Sequence, residues 1–172
     1  MKKHLTFLNI LFAIVFVFSL TGLWASFALS NEKLVILIDK AANQNHVSTC
    51  AINSVVNCAS VVDSWQASLL GFPNTFIGIA GYTVTLTLAA VFLISQQKNR
   101  ILNLLALLGT FGSFLFSYWL LSQSVYSIGF LCPFCLVSCT SATNIFFAYL
   151  ILNLKDNNFN LTESLNTKVN NF

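Results

Sequence analysis

Charged side chains are scarce in this sequence: only 8 % of its 172 residues are Asp, Glu, Lys or Arg, whereas 56 % are hydrophobic. A soluble domain carries roughly a quarter of charged residues, so this scarcity excludes an ordinary soluble domain and predicts a membrane protein. The formal net charge is only +3, and the eight basic residues are scattered along the chain. A weak and dispersed positive charge does not indicate a nucleic-acid-binding surface.

Four stretches without any charged residue are long enough to cross a membrane, which takes about 20 residues. They predict an all-α integral membrane four-helix bundle, with one transmembrane domain over residues 1–154. The first stretch could instead be a signal peptide cleaved near Ala25–Ser30, but it is longer than the apolar region of about 7–15 residues that such peptides contain. We therefore expect a retained helix. The predicted spans are residues 5–29, 78–95, 101–121 and 125–154.

The segment 31–77 is more polar than the spans and forms the only sizeable predicted loop. Its apolar stretch Leu34–Ile38 is expected to extend the first helix or to form an interfacial turn. A short helix from about Ser60 to Leu70 is expected to lie along the membrane surface with one apolar face. The turn Gly71–Asn74 then reverses the chain. The residues of the expected apolar face are Val61, Val62, Trp65, Leu69 and Leu70.

The basic residues fix the expected orientation, because Lys and Arg accumulate on the cytoplasmic side of membrane proteins. Four spans put both termini on one side, and six of the eight basic residues then share that side, whereas Lys33 and Lys40 lie opposite. The loop 31–77 would face outward, where disulfides persist, and residues 155–172 would form a polar cytoplasmic tail. The six are Lys2, Lys3, Lys98, Arg100, Lys155 and Lys168.

Cys132-Pro133-Phe134-Cys135 is the motif with the clearest chemistry. Pro133 suits the first turn of a helix, and a helix starting there would direct free N–H groups at both sulfurs and stabilise a thiolate. Zinc, an inert disulfide and haem attachment are the alternatives. Haem would need His where the chain has Leu136, and zinc would need a second close cysteine pair. We therefore expect a redox dithiol and no metal site.

Cys50 and Cys58 form a second pair in the predicted outer loop, joined by a polar, uncharged linker. Taken alone, the pair is better explained by a structural disulfide that braces the loop. A second pair on the same side of the membrane favours a relay by dithiol–disulfide exchange. A soluble partner would reduce the loop pair, the loop pair would reduce the helix pair, and a quinone in the bilayer would accept the electrons.

The order of these motifs resembles bacterial members of the vitamin K epoxide reductase family over residues 5–152. The resemblance rests on Cys50 and Cys58, then Ser64, then Gly71–Asn74 followed by Gly78 and Tyr82, and finally the dithiol Cys132–Cys135 at the start of the last helix. It implies a four-helix bundle around a quinone site, capped by the loop that carries the first pair and a horizontal helix.

The resemblance also implies residue roles. Cys50 would exchange with the partner's thiols, Cys58 would relay electrons to Cys132, and Cys135 would face the quinone ring and form the transient adduct or charge-transfer complex. Asn74 would donate a hydrogen bond to a quinone carbonyl and Ser64 would help to organise the site; otherwise Asn74 would be a turn residue and Ser64 a surface one. An aromatic pocket wall is expected from Phe111, Phe114, Tyr118 and Phe134. The alternative, in a chain with 17 Phe, is that these rings are ordinary core residues.

Cys139 stands where vertebrate relatives have tyrosine. It is expected to be a small core residue or to line the quinone pocket, and the difference weakens any inference of vitamin K epoxide as the substrate.

The implied activity is oxidation of a partner thiol by a quinone in support of disulfide formation, with ubiquinone or menaquinone as the cofactor. The chain ends 20 residues after Leu152, without the thioredoxin-like domain of fuller relatives, so the expected partner is a separate periplasmic DsbA-like thioredoxin-fold protein. The expected location is a bacterial inner membrane. Three alternatives remain: reduction of vitamin K quinone or epoxide, a DsbB-type oxidase, whose two pairs come in the opposite order, and a disulfide-braced scaffold without enzymatic activity.

Overall fold

The computed structural model describes residues 2–43, 50, 55–96 and 99–156, with side chains from Leu5 onward. Most of this part of the chain is helical, and four of its helices are long and apolar enough to cross a membrane. This confirms the predicted all-α membrane bundle. Most of the predicted tail, residues 157–172, lies outside the described residues. So does His46, a loop residue close to Cys50 in sequence that is expected either to be solvated or to favour the Cys50 thiolate. The helices are α1 (Lys2–Ala41), α2 (Cys58–Val62), α3 (Thr75–Ser95), α4 (Arg100–Gln123) and α5 (Pro133–Lys155).

Helix α1 is the centre of the bundle and packs against both α3 and α5, while α4 packs against α5. Lipid tails are as apolar as Leu, so helices in a membrane associate through close packing and interhelical hydrogen bonds. Bonds of this kind fasten α1 to both α3 and α5. Ser19 hydrogen-bonds Thr85 of α3 at 2.8 Å, and Thr21 hydrogen-bonds Ser141 of α5 at 3.0 Å.

Helix α1 extends well beyond the predicted first span. Its 40 residues measure about 60 Å at 1.5 Å per residue, roughly twice the thickness of a hydrocarbon core. The structure thus makes residues 31–41, expected as the start of the loop, a continuation of α1, in line with the expectation for Leu34–Ile38. This extension carries Glu32, Lys33 and Lys40 towards the loop elements.

The helix expected from Ser60 to Leu70 consists of two shorter elements, α2 and a turn of 3-10 helix over Trp65–Ser68. Ser64 separates them because its backbone is extended, with ψ of 156°. The expected apolar face is therefore split. Val62 is buried, whereas Trp65 and Leu70 are exposed.

The fourth transmembrane helix begins at Pro133 rather than within the apolar run that starts at residue 125. Residues Ser124–Ile128 continue α4 as a π-helical turn, which Gly129 ends at a φ of +78°. Glycine adopts that left-handed conformation without steric cost. Pro133 then occupies the first turn of α5, where its missing N–H is no loss.

Candidate redox site at the loop end of the bundle

An isolated parallel β-bridge between Val56 and Leu131 joins the loop to the segment before α5. The N–H of Asn57 donates to the carbonyl of Leu131 at 3.1 Å, and the N–H of Leu131 donates to the carbonyl of Val55 at 2.8 Å. The chain continues from this bridge into Cys58 on one side and Cys132 on the other. The bridge therefore sets the start of α2 beside the start of α5.

Three of the four predicted relay cysteines meet next to this bridge. Cys50 and Cys58 form a disulfide, with Cα atoms 5.6 Å apart. The sulfur of Cys132 lies 3.4 Å from the sulfur of Cys58. Both of these sulfurs belong to fully buried residues, while Cys50 is 7 % exposed. The arrangement brings a free thiol against one sulfur of a disulfide, which is the geometry that thiol–disulfide exchange requires.

Cys132 caps the N-terminus of α5, and its sulfur accepts the backbone N–H of Cys135 at 3.4 Å. The sequence predicted such donors for both sulfurs of the motif, and the structure gives this one to Cys132. The pKa of Cys132 is lowered, mainly by the hydrogen bond with the Cys135 side chain and further by the backbone N–H groups of Phe134 and Cys135. Burial and the negative charge of Glu32 act in the opposite direction.

Cys135, the fourth relay cysteine, lines a cavity of about 170 Å³ that lies between α3, α4, α5 and the loop elements. Asn74 and Ser64 line the same cavity, so three of the predicted quinone-site residues, including Cys135, surround one space. Cys139 also lines it, which agrees with the second of the two expectations for this residue. The remaining wall is mostly apolar and includes Phe116, Leu120 and Ile145.

Asn74 is buried and braces the loop. Its amide nitrogen donates to the carbonyl of Gln66 at 2.6 Å, and its amide oxygen accepts the N–H of Leu69 at 3.2 Å. An amide group carries two N–H donors, so one hydrogen remains for a ligand in the cavity. Ser64, on the same wall, donates its hydroxyl to the carbonyl of Val61 at 2.7 Å, which leaves its oxygen as an acceptor.

The four aromatic residues expected to form the pocket wall are not among the described residues that line the cavity. Phe111 and Phe114 stack against Phe146 of α5, with ring centroids 5.5 and 5.1 Å apart. Tyr118 packs on Phe114 at 4.8 Å, and Phe134 meets Trp24 of α1 at 5.3 Å. These rings therefore contribute to helix packing, and a quinone role for them has no support from their positions.

The cavity wall also contains four hydroxyl residues, on α4 and on the π-helical turn that continues it, that the sequence reasoning missed. They follow one another at intervals of three, four and seven residues, which places them on one helix face. A polar stripe inside an apolar span points towards a bundle interior or cavity, so the spacing was a usable signal. The residues are Thr110, Ser113, Ser117 and Ser124.

Tyr82 is a further wall residue for which the sequence reasoning assigned no role. Its hydroxyl donates to the carbonyl of Ser138 at 2.7 Å. This bond ties α3 to α5 three residues after Cys135. The ring fits only because residue 22 is glycine: a Cβ atom there would lie 2.5 Å from the Tyr82 ring. In the part of the chain that the structure describes, no group of three or more His, Cys, Asp or Glu side chains is arranged to hold a metal ion.

Comparison with known proteins gives one informative match. No curated protein matches the chain. The model of the vitamin K epoxide reductase family matches residues 13–150, a range that contains both cysteine pairs and every described cavity residue. Members of such a family are membrane oxidoreductases that couple thiol chemistry to quinones. With four apolar helices, a closed Cys50–Cys58 disulfide and a match over most of its length, the chain belongs to the vitamin K epoxide reductase family.

Proposed function

We propose that the protein reoxidises a periplasmic thioredoxin-fold, DsbA-like partner and passes the electrons through its two cysteine pairs to a quinone. The observation that carries this proposal is the 3.4 Å separation between the sulfurs of Cys58 and Cys132. It joins the pair in the loop to the pair at the cavity, so electrons have a continuous thiol route. Net oxidation of the partner would supply disulfides to other proteins.

The first step uses the loop pair. A partner thiolate attacks Cys50, forms a mixed disulfide with it and breaks the Cys50–Cys58 bond, so Cys58 leaves as a thiolate. A second partner thiol then releases Cys50, and the loop pair is left reduced. Cys50 is the better target because it is slightly exposed, whereas Cys58 is fully buried. The buried Cys58 is suited to the inward transfer because it already contacts Cys132.

The second step hands the electrons to the helix pair. When Cys132 and Cys135 are oxidised to a disulfide, the Cys58 thiolate attacks Cys132 and releases Cys135 as a thiolate. Attack of Cys50 on Cys58 then closes the loop disulfide again and frees Cys132. This leaves the resting arrangement that the structure contains, with a Cys50–Cys58 disulfide and free thiols at Cys132 and Cys135.

The cavity residues fit a quinone headgroup. Its mostly apolar walls suit a flat ring, and Asn74, which keeps one N–H beyond its bond to Gln66, lines the same space as Cys135. A bound quinone, such as ubiquinone or menaquinone, supplies an acceptor for two electrons and two protons. Asn74 would hold a carbonyl oxygen, Ser64 would support the loop around it, and the surrounding helices would exclude water.

The proposed location is a bacterial inner membrane, with both termini in the cytoplasm and the cysteines on the periplasmic side. Helices α1, α3, α4 and α5 alternate in direction, so the end of α1, the start of α3, the end of α4 and the start of α5 meet at the loop. That end carries the disulfide, and an oxidising compartment would preserve it. The membrane domain would comprise residues 1–154.

The proposal is tested by mixing the purified protein with a reduced thioredoxin-fold partner and a soluble ubiquinone or menaquinone analogue. Reduction of the quinone should accompany oxidation of the partner. Alanine at Cys50, Cys58, Cys132 or Cys135 should each abolish turnover, whereas Ser95→Ala, at the opposite end of α3, should not change it. Turnover with vitamin K epoxide but not with quinone would assign the protein to epoxide reduction. Absence of any thiol oxidation would leave a scaffold role.

Asn74→Ala provides a separate test of the quinone site. One hydrogen bond is worth about 0.5–1.5 kcal/mol, so the KM for quinone should rise by roughly threefold to tenfold. Exchange between the loop pair and the helix pair, measured without quinone, reports whether the loop is still in place. An unchanged KM with intact exchange would remove Asn74 from the quinone site.

A further inference from the structure

Glu32 is a buried carboxylate beside the relay and has no part in the mechanism above. On α1 it lies three residues after Leu29 and four before Ile36, so the three side chains share one helix face. Leu29 and Ile36 belong to the buried cluster that contains Cys58 and Cys132. Glu32 itself is only 5 % exposed. A carboxylate is rarely buried unless interactions or function require it.

The cation next to Glu32 in sequence is engaged by α2. The Lys33 amine donates to the carbonyl of Val62 at 3.0 Å and lies 3.7 Å from a carboxylate oxygen of Asp63. Asp63 also pairs with Lys40 at 2.7 Å. These contacts hold the end of α2 against α1, and they fix Cys58, at the start of α2, near the face that carries Glu32.

The field of Glu32 reaches the relay. Its negative charge raises the pKa of Cys132, against the lowering by the hydrogen bonds at the start of α5. A buried carboxylate whose charge acts on a neighbouring thiol is a candidate to take up and return its proton. The other titratable groups that flank this position on the packed elements are Lys33 from α1, Asp63 from α2, and Cys132 and Cys135 from the start of α5.

We propose that Glu32 exchanges a proton with the Cys58–Cys132 pair during transfer between the two cysteine pairs. The inference rests on the proposed function and adds a proton-transfer group to it. The geometric basis is a buried carboxylate on the α1 face whose residues Leu29 and Ile36 belong to the same buried cluster as Cys58 and Cys132, near the point where α2 is fastened to α1.

The proton follows the electrons in two steps. In the first step, the Cys58 thiol gives its proton to the Glu32 carboxylate and attacks Cys132. The Cys58–Cys132 bond forms as the Cys132–Cys135 bond breaks, and Cys135 leaves as a thiolate. In the second, Cys50, deprotonated to solvent, attacks Cys58; the Cys50–Cys58 bond forms, and Cys132 leaves and recovers the proton from Glu32. Two electrons pass from the loop pair to the helix pair, and Glu32 ends unchanged.

The test compares Glu32→Gln, Glu32→Asp and the control Asp39→Asn, which removes a carboxylate from the same helix about two turns further out. The loop pair is reduced and the helix pair oxidised, and their exchange is followed without quinone by acid quenching, thiol alkylation and mass spectrometry. A positioned acid–base group contributes about 100-fold or more to a rate, so Glu32→Gln should slow exchange by about that factor. Glu32→Asp should restore part of the rate, and Asp39→Asn should match the parent.

A second readout separates proton transfer from a merely structural role. The thiolate ultraviolet absorbance of the resting protein is titrated, and the step lost in Cys132→Ser is assigned to Cys132. Glu32→Gln should shift that step to lower pH, because a nearby negative charge has been removed. If Glu32→Gln misfolds, Glu32→Asp still gives a result: it keeps the negative charge, so the Cys132 titration step must stay near its position in the parent protein.

The inference would be overturned if Glu32→Gln left the exchange rate unchanged, or if it left the pH of the Cys132 titration step unchanged. The proposed function would be unaffected as long as the parent protein still reduced quinone. Failure of the proposed function has a different signature: the parent would exchange electrons between its cysteine pairs but reduce no quinone. Because both Glu32 readouts omit the quinone, the two failures cannot be confused.

Discussion

Replacing Cys50 and Cys135 together with Ala should trap a disulfide between Cys58 and Cys132. The two sulfurs need to approach from 3.4 Å to the roughly 2.0 Å of a disulfide bond, a movement of about 1.4 Å that side-chain rotation and a slight shift of α2 can supply. The new bond joins residues 74 positions apart, and closing a loop of that length stabilises a chain by about 4.5 kcal/mol in the chain-entropy model. The natural bond closes 8 positions, for which the same model gives about 2.5 kcal/mol.

The assay is mild oxidation in detergent, followed by a non-reducing gel, peptide mass spectrometry and thermal unfolding. The trapped variant should run faster on the gel and unfold at a higher temperature than its own reduced form. The matched control replaces Cys50 and Cys132 instead, so that Cys58 must reach Cys135 or Cys139. If the control cross-links as readily as the trap, the contact between Cys58 and Cys132 does not select the partner and the relay reasoning fails.

Two further pairs of variants test the packing that holds the site. Gly22→Ala should cost about 1–3 kcal/mol of unfolding free energy, as overpacking does, because its Cβ would lie 2.5 Å from the Tyr82 ring. The control Gly109→Ala should cost nothing, because its Cβ would meet nothing within 4 Å. Equal losses of stability in a thermal melt would contradict the close fit of Tyr82 against Gly22. Lys40→Met removes an exposed ion pair and should cost less than about 1 kcal/mol, whereas Lys33→Met strips a buried donor from the Val62 carbonyl and should cost about 1–3 kcal/mol. A reversed order in the same melts would show that Lys33 does not fasten α2.

The bundle itself was predictable because a bilayer imposes simple rules. An uncharged run must become a helix long enough to cross, and each of the four predicted spans falls wholly or mostly within such a helix. The ends were harder to place. The apolar run that starts at residue 125 continues into α5 in the sequence. In the structure, Gly129 ends the helical turn after α4 and Pro133 begins α5, and only the backbone conformation shows this break.

The cavity wall shows how one residue of register decides a site. The predicted aromatics Phe111, Phe114 and Tyr118 each follow directly after a hydroxyl residue that lines the cavity. Successive residues of an α-helix point about 100° apart, so the rings turn away from the cavity while the hydroxyls line it. Phe111 and Phe114 pack against α5 instead. Aromatic content gave no direction in a chain with 17 Phe, whereas the rarer polar residues did, because burial of a hydroxyl in a membrane interior needs a reason.

The contact between the two cysteine pairs depends on something that no local pattern contains. The sequence predicted two pairs on one side of a membrane, which is compatible with any distance between them. The bridge between Val56 and Leu131 fixes that distance, because each strand residue is followed within two positions by a relay cysteine. A slip of one residue in a strand reverses the direction of its side chains, so the same two cysteines in a shifted bridge would point apart. The relay is therefore encoded by backbone pairing between segments 75 positions apart, and this pairing uses N–H and C=O groups that every sequence possesses.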